Sequence, residues 1–409
     1  METLFVAIGA PFYRWQGRLY VEDQTISGLG AWSDNFDRVI TCANTFEAEP
    51  PPGWSDPWAA GLDPERVEIV ELPYGYDLKT YFREKSRISG IVLEAMKRAN
   101  YRVIGIGGWL GDWGVVCAEL ARRHGLPHAC WFDRVESQVI AASARAGLAG
   151  RLIGWIKSVV TARNEKAALA GAELALLNGK TVLDRFTPLT RNPHLMADIH
   201  IDEDDRIAPD ALQAKKSAAR NGPLKVCYAG RATAMKGPGH WLDALEKASA
   251  EGANVEAVWL GDGDMLDAMR TRIDNGPLRG KVELAGFVSD RTRVLNTLRA
   301  SHALMFCHIT DESPRILVEA LHAGTPLLGF RDPYAGSLID DSDGGILVPR
   351  GDSGALAAEL VRLDGDRDAL CALIDRAAGS ARHLTRSRVF AERAKLIRTY
   401  LKTNKGSSS

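Results

Sequence analysis

The chain has 409 residues, of which 25% are charged and 45% apolar, with a formal net charge of −1 and a pI of about 6.8. That length allows two or three domains, and the apolar share can fill large cores, which excludes a disordered chain. The near-neutral balance excludes bulk nucleic-acid binding.

The N-terminus, METLFVAIGAPFYRW, has no basic n-region and no small-residue cleavage site, so it does not read as a signal peptide. No apolar run approaches the roughly 18–20 residues that span a bilayer. The six cysteines are scattered with no CxxC pair and sit mostly in apolar runs. They read as small buried hydrophobes of a reducing compartment, and the expected location is cytoplasmic.

In chain order, TLFVAIG (3–9), DRVITCA (37–43), RVEIVELP (66–73) and YRVIGIGG (101–108) read as strands. A helix is predicted from about 112 to 124, then a short strand, PHACWF (127–132). Residues 144–171 have helical apolar spacing, and AELALLNG (172–179) is a strand again. Strand–helix alternation with β-rich apolar runs predicts a parallel sheet covered on both faces. Residues 189–222 break the rhythm with prolines, the acidic run DEDD and a polar stretch. The expected organisation is therefore a first domain over 1–190, an interdomain connection over 191–222 and a second domain over 223–385. A basic helix near 386–402 and the polar tail KTNKGSSS follow.

The second alternation is cleaner. LKVCYAGR (224–231), VEAVWLGDG (255–263), KVELAGFV (281–288), ALMFCH (303–308) and PLLGF (326–330) are strands, with helical segments between them. The expectation is α/β throughout: two doubly wound, Rossmann-like domains. In such folds ligands bind at carboxyl ends of strands near helix N-termini.

Three loops of the second domain carry candidate chemistry. In GRATAMKG (230–237), Gly230 and Arg231 follow the strand directly and Lys236 stands at the next helix start. Two cations beside a helix N-terminus suit a diphosphate, though both also read as ordinary solvated cations. In TDESPRILVEALHAGTP (310–326), Ser313 is placed to cap a helix, leaving the N–H groups of Arg315, Ile316 and Leu317 to donate outward. Glu319 falls in an apolar run, where favouring the helix dipole explains it poorly; its carboxylate can accept both hydroxyls of a ribose. Asp311 lies where the loop could touch a second polyol, or else Asp311 and Glu312 simply complement the dipole. In GFV (286–288), the apolar loop with Val288 reads either as a packed turn or as a rest for the face of a nucleobase.

Taken in order, GRATAMKG, WLGDGD, AGFVSD and DESPRILVEALHAGTPLLGF make segment 224–347 resemble the donor-binding domain of the family-4 (group 1) glycosyltransferases. That resemblance implies a GT-B fold, with two domains facing across a cleft and the last helix, within 386–409, crossing back to the first domain. It implies a nucleoside-diphosphate sugar as co-substrate, no metal or other cofactor, and a retaining reaction. Arg231 and Lys236 would stabilise the leaving diphosphate, and Glu319 would bind the ribose. The family's pair of acids lies eight positions apart; Asp311 keeps that gap to Glu319, whereas Glu312 is one residue short, so either is the candidate first acid for the donor sugar. The nucleotide base stays open among uridine, guanosine and adenosine.

The first domain is expected to bind a glycan or lipid-linked acceptor. Gly17 is the candidate for a glycine loop there. Asp133, in WFDRVES, could orient or deprotonate an acceptor hydroxyl, or else cap a turn or pair with Arg134. GIGGWLG (105–111) fails as a dinucleotide fingerprint because Leu110 stands at the third glycine position. Residues 144–166 carry Arg145, Arg151, Lys157, Arg163 and Lys166 among Leu, Ile and Trp. They read either as a domain helix with a solvated face or as a helix resting on an anionic membrane. The expected function is glycosyl transfer in cell-envelope or exopolysaccharide assembly. A non-catalytic sugar-nucleotide-binding subunit, and an epimerase or hydrolase of the same form, remain as alternatives.

Overall fold

The computed structural model describes residues 1–142, 148–311, 313–340 and 342–401. They form two units: Met1–His200 with the C-terminal segment from Arg386, and Ile201–Thr385. In the first unit the order is β1 (Thr3–Ala7), β2 (Phe12–Trp15), β3 (Arg18–Glu22), α1 (Asp23–Ser33), β4 (Arg38–Glu47), β5 (Trp54–Ser55), β6 (Val67–Pro73), α2 (Leu78–Arg98) and β7 (Tyr101–Gly105). It continues through α3 (Trp113–Arg123), β8 (Ala129–Phe132), α4 (Glu136–Ala142), α5 (Leu148–Gly171), β9 (Leu174–Asn178), α6 (Lys180–Phe186) and β10 (Pro193–Met196). The second unit holds α7 (Pro209–Ala219), β11 (Leu224–Ala229), α8 (Pro238–Ala250), β12 (Val255–Leu260), α9 (Leu266–Asp274), β13 (Val282–Gly286), α10 (Arg291–Ala300), β14 (Ala303–Phe306) and α11 (Arg315–His322). Then come β15 (Leu327–Phe330), α12 (Pro333–Ile339), β16 (Gly345–Val348), α13 (Ser353–Gly365) and α14 (Arg367–Gly379), and the chain rejoins the first unit as α15 (Arg386–Tyr400).

The first sheet runs β10-β9-β8-β7-β1-β4, with β6 also on β4, all parallel. Strands β2, β3 and β5 extend one margin, with antiparallel β2–β3 and β3–β5 pairs. The second sheet, β13-β12-β11-β14-β15-β16, is parallel throughout. In both, the winding reverses beside the first strand: between β1 and β7, and between β11 and β14. Ligands bind at such switch points, outside the carboxyl ends of the strands.

Helices cover both faces of the first sheet, which is why β1 is apolar from Leu4 to Ala7 and buried throughout. Leu4 and Val6 pack with Trp32 of α1 and with Phe390, Ala394 and Ile397 of α15. Phe5 and Ala7 face the other way, toward Val92, Met96, Trp113 and Leu169. Burial at both faces removes the polar alternation of a half-exposed strand. All six cysteines are buried and free.

The stretch 191–222, expected as a connection, is shared between the units. Its prolines mark element starts: Pro193 opens the edge strand β10, and Pro209 opens α7, where a missing N–H costs nothing. The acidic run folds on itself, with the Asp205 carboxylate accepting the Asp202 N–H at 3.0 Å. The helix expected over 144–171 is described from Leu148, so Arg145 lies outside the described residues, as does the tail 402–409. No described helix is long and apolar enough to cross a membrane.

Candidate functional site

Three loops of the second unit are stitched together by backbone hydrogen bonds. Gly230 N–H donates to Leu260 O at 2.8 Å, Ala232 N–H to Asp262 O at 2.9 Å, and Gly261 N–H to Gly286 O at 2.8 Å. This brings 230–232, 261–263 and 286 side by side at the ends of β11, β12 and β13. At the switch point itself, Ile309 N–H donates to Met235 O at 3.0 Å, joining the loop after β14 to the loop after β11. Gly237, with φ at +64°, closes the turn Ala234–Lys236 and leads into α8. A Cβ there would stand 2.0 Å from Cys307 O, so only glycine allows this approach.

Arg231 is exposed, and its side chain makes no hydrogen bond or ion pair within the described residues. Lys236 is half-buried five positions on. Beneath this loop His308 is buried, and its Nε2 shares a 2.7 Å hydrogen bond with the Tyr228 hydroxyl. Burial, aided by the Lys236 charge, pushes the His308 imidazole down to about 3. The ring is therefore neutral, and its Nδ1 has no partner. A Cβ at Gly230 would meet the same Tyr228 hydroxyl at 2.7 Å, which accounts for that glycine.

Helix α11 starts one residue later than expected. Pro314, not Ser313, takes the N-cap position, with no side-chain cap. Leu317 N–H donates to Pro314 O at 3.2 Å, which removes it from the outward donors expected here. Ile316 and Leu317 are buried and Arg315 is half-buried. The Glu319 side chain is only 15% exposed, and its Oε1 lies 3.1 Å from Arg291 Nη1. Arg291 Nη2 in turn reaches Asp205 Oδ2 at 2.9 Å. Burial lowers the Arg291 pKa, but Glu319 and Asp205 outweigh it and carry the group above its ordinary value. Asp311 is paired with Arg350. Close by, the buried Asp332 caps α12 through a 2.7 Å bond from Ala335 N–H, and its other oxygen is unpartnered. Burial, then the Asp311 charge, pushes its carboxyl up against the opposing pull of Arg350. Glu312 lies outside the described residues. Val288 is half-buried beside Phe287, which is 68% exposed.

The residues singled out in the first unit have local partners. Gly17 and Gln16, both at positive φ, form the two-residue turn of the exposed β2–β3 hairpin, a turn type that selects glycine. Asp133 is exposed and accepts the Trp131 indole N–H at 2.7 Å. Arg134, its expected alternative partner, bonds Glu136 at 2.6 Å instead. The glycine loop after β7 encloses Asp112, whose Oδ2 accepts from Gly107 and Gly108 N–H at 2.7 and 2.8 Å and whose Oδ1 accepts from Gly114 N–H at 2.9 Å. Among the described residues, no cluster of three or more His, Cys, Asp or Glu is arranged to hold a metal.

Sequence reasoning missed Arg291, Arg350, Asp332 and the Tyr228–His308 pair. Only Arg291 left a signal, as the first residue of a helix directly after the GFV loop.

Residues 210–378 match the family described as Glycosyl transferases group 1. The whole chain has the GT-B fold. Over 98% of its length it superimposes on all of Anabaena HepE, solved in complex with UDP, with a TM-score of 0.67 at 15% identity. Over 96% it superimposes on 99% of WaaG, described as a glycosyltransferase of lipopolysaccharide biosynthesis, with a TM-score of 0.63 at 13% identity. In sequence, it is 29% identical over 169 residues to the amylovoran biosynthesis glycosyltransferase AmsK of Erwinia amylovora, spanning 40% of this chain and 41% of that protein. It is 32% identical over 144 residues to the phosphatidyl-myo-inositol mannosyltransferase of Mycolicibacterium smegmatis, spanning 35% and 36%. These matches thus span about two fifths of each curated relative's length.

Proposed function

We propose that the chain is a glycosyltransferase. Its second unit would bind a nucleoside-diphosphate sugar, and its first a glycan or lipid-linked acceptor. The observation that carries this reading is the switch point between β11 and β14. There an unpaired, exposed Arg231 and the half-buried Lys236 stand on a loop held against the loop after β14. A diphosphate suits this array, which concentrates positive charge where the leaving group gains negative charge. No metal is assigned to that role in this reading.

Glu319 would take the ribose hydroxyls. A carboxylate offers about four acceptor directions, and Arg291 occupies one oxygen while holding the side chain in place. Asp311 would meet hydroxyls of the donor sugar, and the 286–288 loop, with Val288, would meet the base. Asp133 would orient the acceptor hydroxyl. Family resemblance supports retention: the C1–O bond to the diphosphate breaks, the acceptor oxygen bonds C1 on the same face, and a departing phosphate oxygen takes the hydroxyl proton. The names of the relatives support a role in exopolysaccharide or envelope glycan assembly. The UDP bound in HepE makes uridine the first base to try. The pairing of Asp311 with Arg350 favours one second reading, a binding-only subunit, in which donor binds without turnover.

The test is thermal denaturation with UDP, GDP, ADP and their sugar conjugates, for the wild type and Glu319→Ala. A ligand specific to the folded chain adds about 2.7 kcal/mol at a hundredfold excess over Kd. Stabilisation by one nucleotide, lost in the variant, is expected. No shift with any nucleotide at millimolar concentration would overturn the reading. Binding without sugar transfer to any acceptor would select the subunit instead.

A further inference from the structure

Helix α5 is built the wrong way round for a domain helix. A surface helix normally turns its large apolar residues inward. From Arg151 to Thr161 the two buried positions are Gly154 and Thr161, and Ser158 and Val160 are half-buried. Polar bonds hold this face down. Ser158 Oγ donates to Ser137 O at 2.9 Å, and buried Glu165 accepts from Ser137 N–H and Oγ at 2.9 and 2.7 Å. Asn164 adds a 2.8 Å bond to Gly108 O.

The large apolar residues face away. Leu152, Ile153, Trp155, Ile156 and Val159 are between 45% and 62% exposed. At about 100° per residue they cover an arc of roughly 160°, centred opposite Gly154, Thr161 and Glu165. They are five of the fifteen large hydrophobics exposed among the described residues, gathered within two helical turns.

Charge indicates what covers them. On the same helical wheel, Arg151 and Lys157 flank the apolar arc at its two edges, and Arg163 and Lys166 continue the stripe toward the C-terminus. The only carboxylate on α5 is Glu165, which is buried. A second copy docking through this face by two-fold symmetry would set cations against cations, with no exposed acid on the helix to pair them. A sheet of anionic headgroups over hydrocarbon matches both parts of the surface, and an exposed Trp suits its boundary layer.

We infer that α5 is a membrane-docking helix. It lays Leu152, Ile153, Trp155, Ile156 and Val159 into the headgroup layer of an anionic bilayer, with Arg151, Lys157, Arg163 and Lys166 on lipid phosphates. The inference deepens the acceptor side of the proposed function but rests on the first unit alone.

The test is flotation of the full chain, without nucleotide, on phosphatidylcholine vesicles with and without about one quarter phosphatidylglycerol. The wild type should float with the anionic vesicles and stay behind with the neutral ones. Trp155→Ser with Ile156→Ser should cut the bound fraction about tenfold, since two large apolar contacts with the bilayer are lost. Arg151→Glu with Arg163→Glu should weaken binding similarly, and added salt should mimic that second variant. All four side chains are exposed, so both variants should melt with the wild type. Absence of wild-type flotation, equal flotation on neutral vesicles, or unchanged flotation of the Trp155/Ile156 variant would each overturn the inference. So would a wild-type dimer that this variant turns into a monomer, because a second copy would then cover the helix. Nucleotide binding by the second unit, measured separately, should be the same in every variant.

Discussion

Each sheet reverses its winding beside a loop rich in glycine: 105–114 in the first unit and 230–237 in the second. The two loops handle their backbone donors in opposite ways. In the first, Asp112 is drawn inside and takes the N–H groups of Gly107, Gly108 and Gly114. In the second, the loop is tied to its neighbours by backbone bonds, and Arg231 is left exposed. A glycine run after a strand is thus no evidence of a ligand. What decides is whether a side chain of the chain itself already fills the cradle.

The largest effect should come from emptying the filled cradle. Asp112→Ala leaves three enclosed N–H groups without an acceptor, at about 1–3 kcal/mol each, so the first unit should lose roughly 3 kcal/mol or more. Urea denaturation checks this, and a loss below about 1 kcal/mol would mean that the loop does not need its carboxylate. In the open loop, Arg231→Ala should do the reverse. Its side chain has no partner to lose, so stability should stay within about 0.5 kcal/mol. Sugar transfer should fall about 10²–10³-fold if the guanidinium stabilises the leaving group. Steady-state rates with the donor found by thermal shift would decide it.

The smallest effect separates the units by acidity. Burial holds His302 at about 4 and His308 at about 3, and lowers His322 as well. Below an unfolded-state value near 6.5 the unfolded chain binds protons that these folded histidines refuse, so stability falls as pH drops from about 6.5 to 4.5. One buried carboxyl in the second unit, Asp332, is raised by burial and works in the opposite sense. In the first unit two raised carboxyls, Asp112 and Glu165, oppose a single lowered histidine, His128. The second unit should therefore lose stability first, and His308→Asn should flatten its slope by about 1 kcal/mol per pH unit. Urea midpoints measured across that window test both statements; equal slopes for the two units would erase the contrast.

The second unit was the more legible in sequence. Its parallel strands are short apolar runs ending in glycine or a polar loop, and β11, β12 and β14 fall where those runs lie. The β2–β3 hairpin escaped because its strands of four and five residues belong to the sheet margin, where only Phe12, Leu19 and Val21 are buried. Helix α2 hides five buried residues among many charges, and β10 is defined only by pairing with β9. In the candidate site, Glu319 was legible because a carboxylate within ILVEAL needs a partner. The partner was not, since Arg291 comes from 28 positions upstream. Likewise nothing local links Asp311 to Arg350, or Tyr228 to His308.

The return of α15 to the first unit bears on how the chain is made. Phe390, Ala394 and Ile397 complete one face of the first core. Buried Arg393 lies over the rings of Trp131 and Phe390, 4.3 and 4.7 Å from their centroids, and donates to Ala197 O at 2.6 Å. The second unit is in effect an insertion between the body of the first and its last helix. During synthesis it emerges whole and can fold while the first still lacks that face. The first unit must then wait, partly uncovered, for every residue of the second to leave the ribosome. Nascent chains stalled before 386 should therefore be the form most in need of a chaperone.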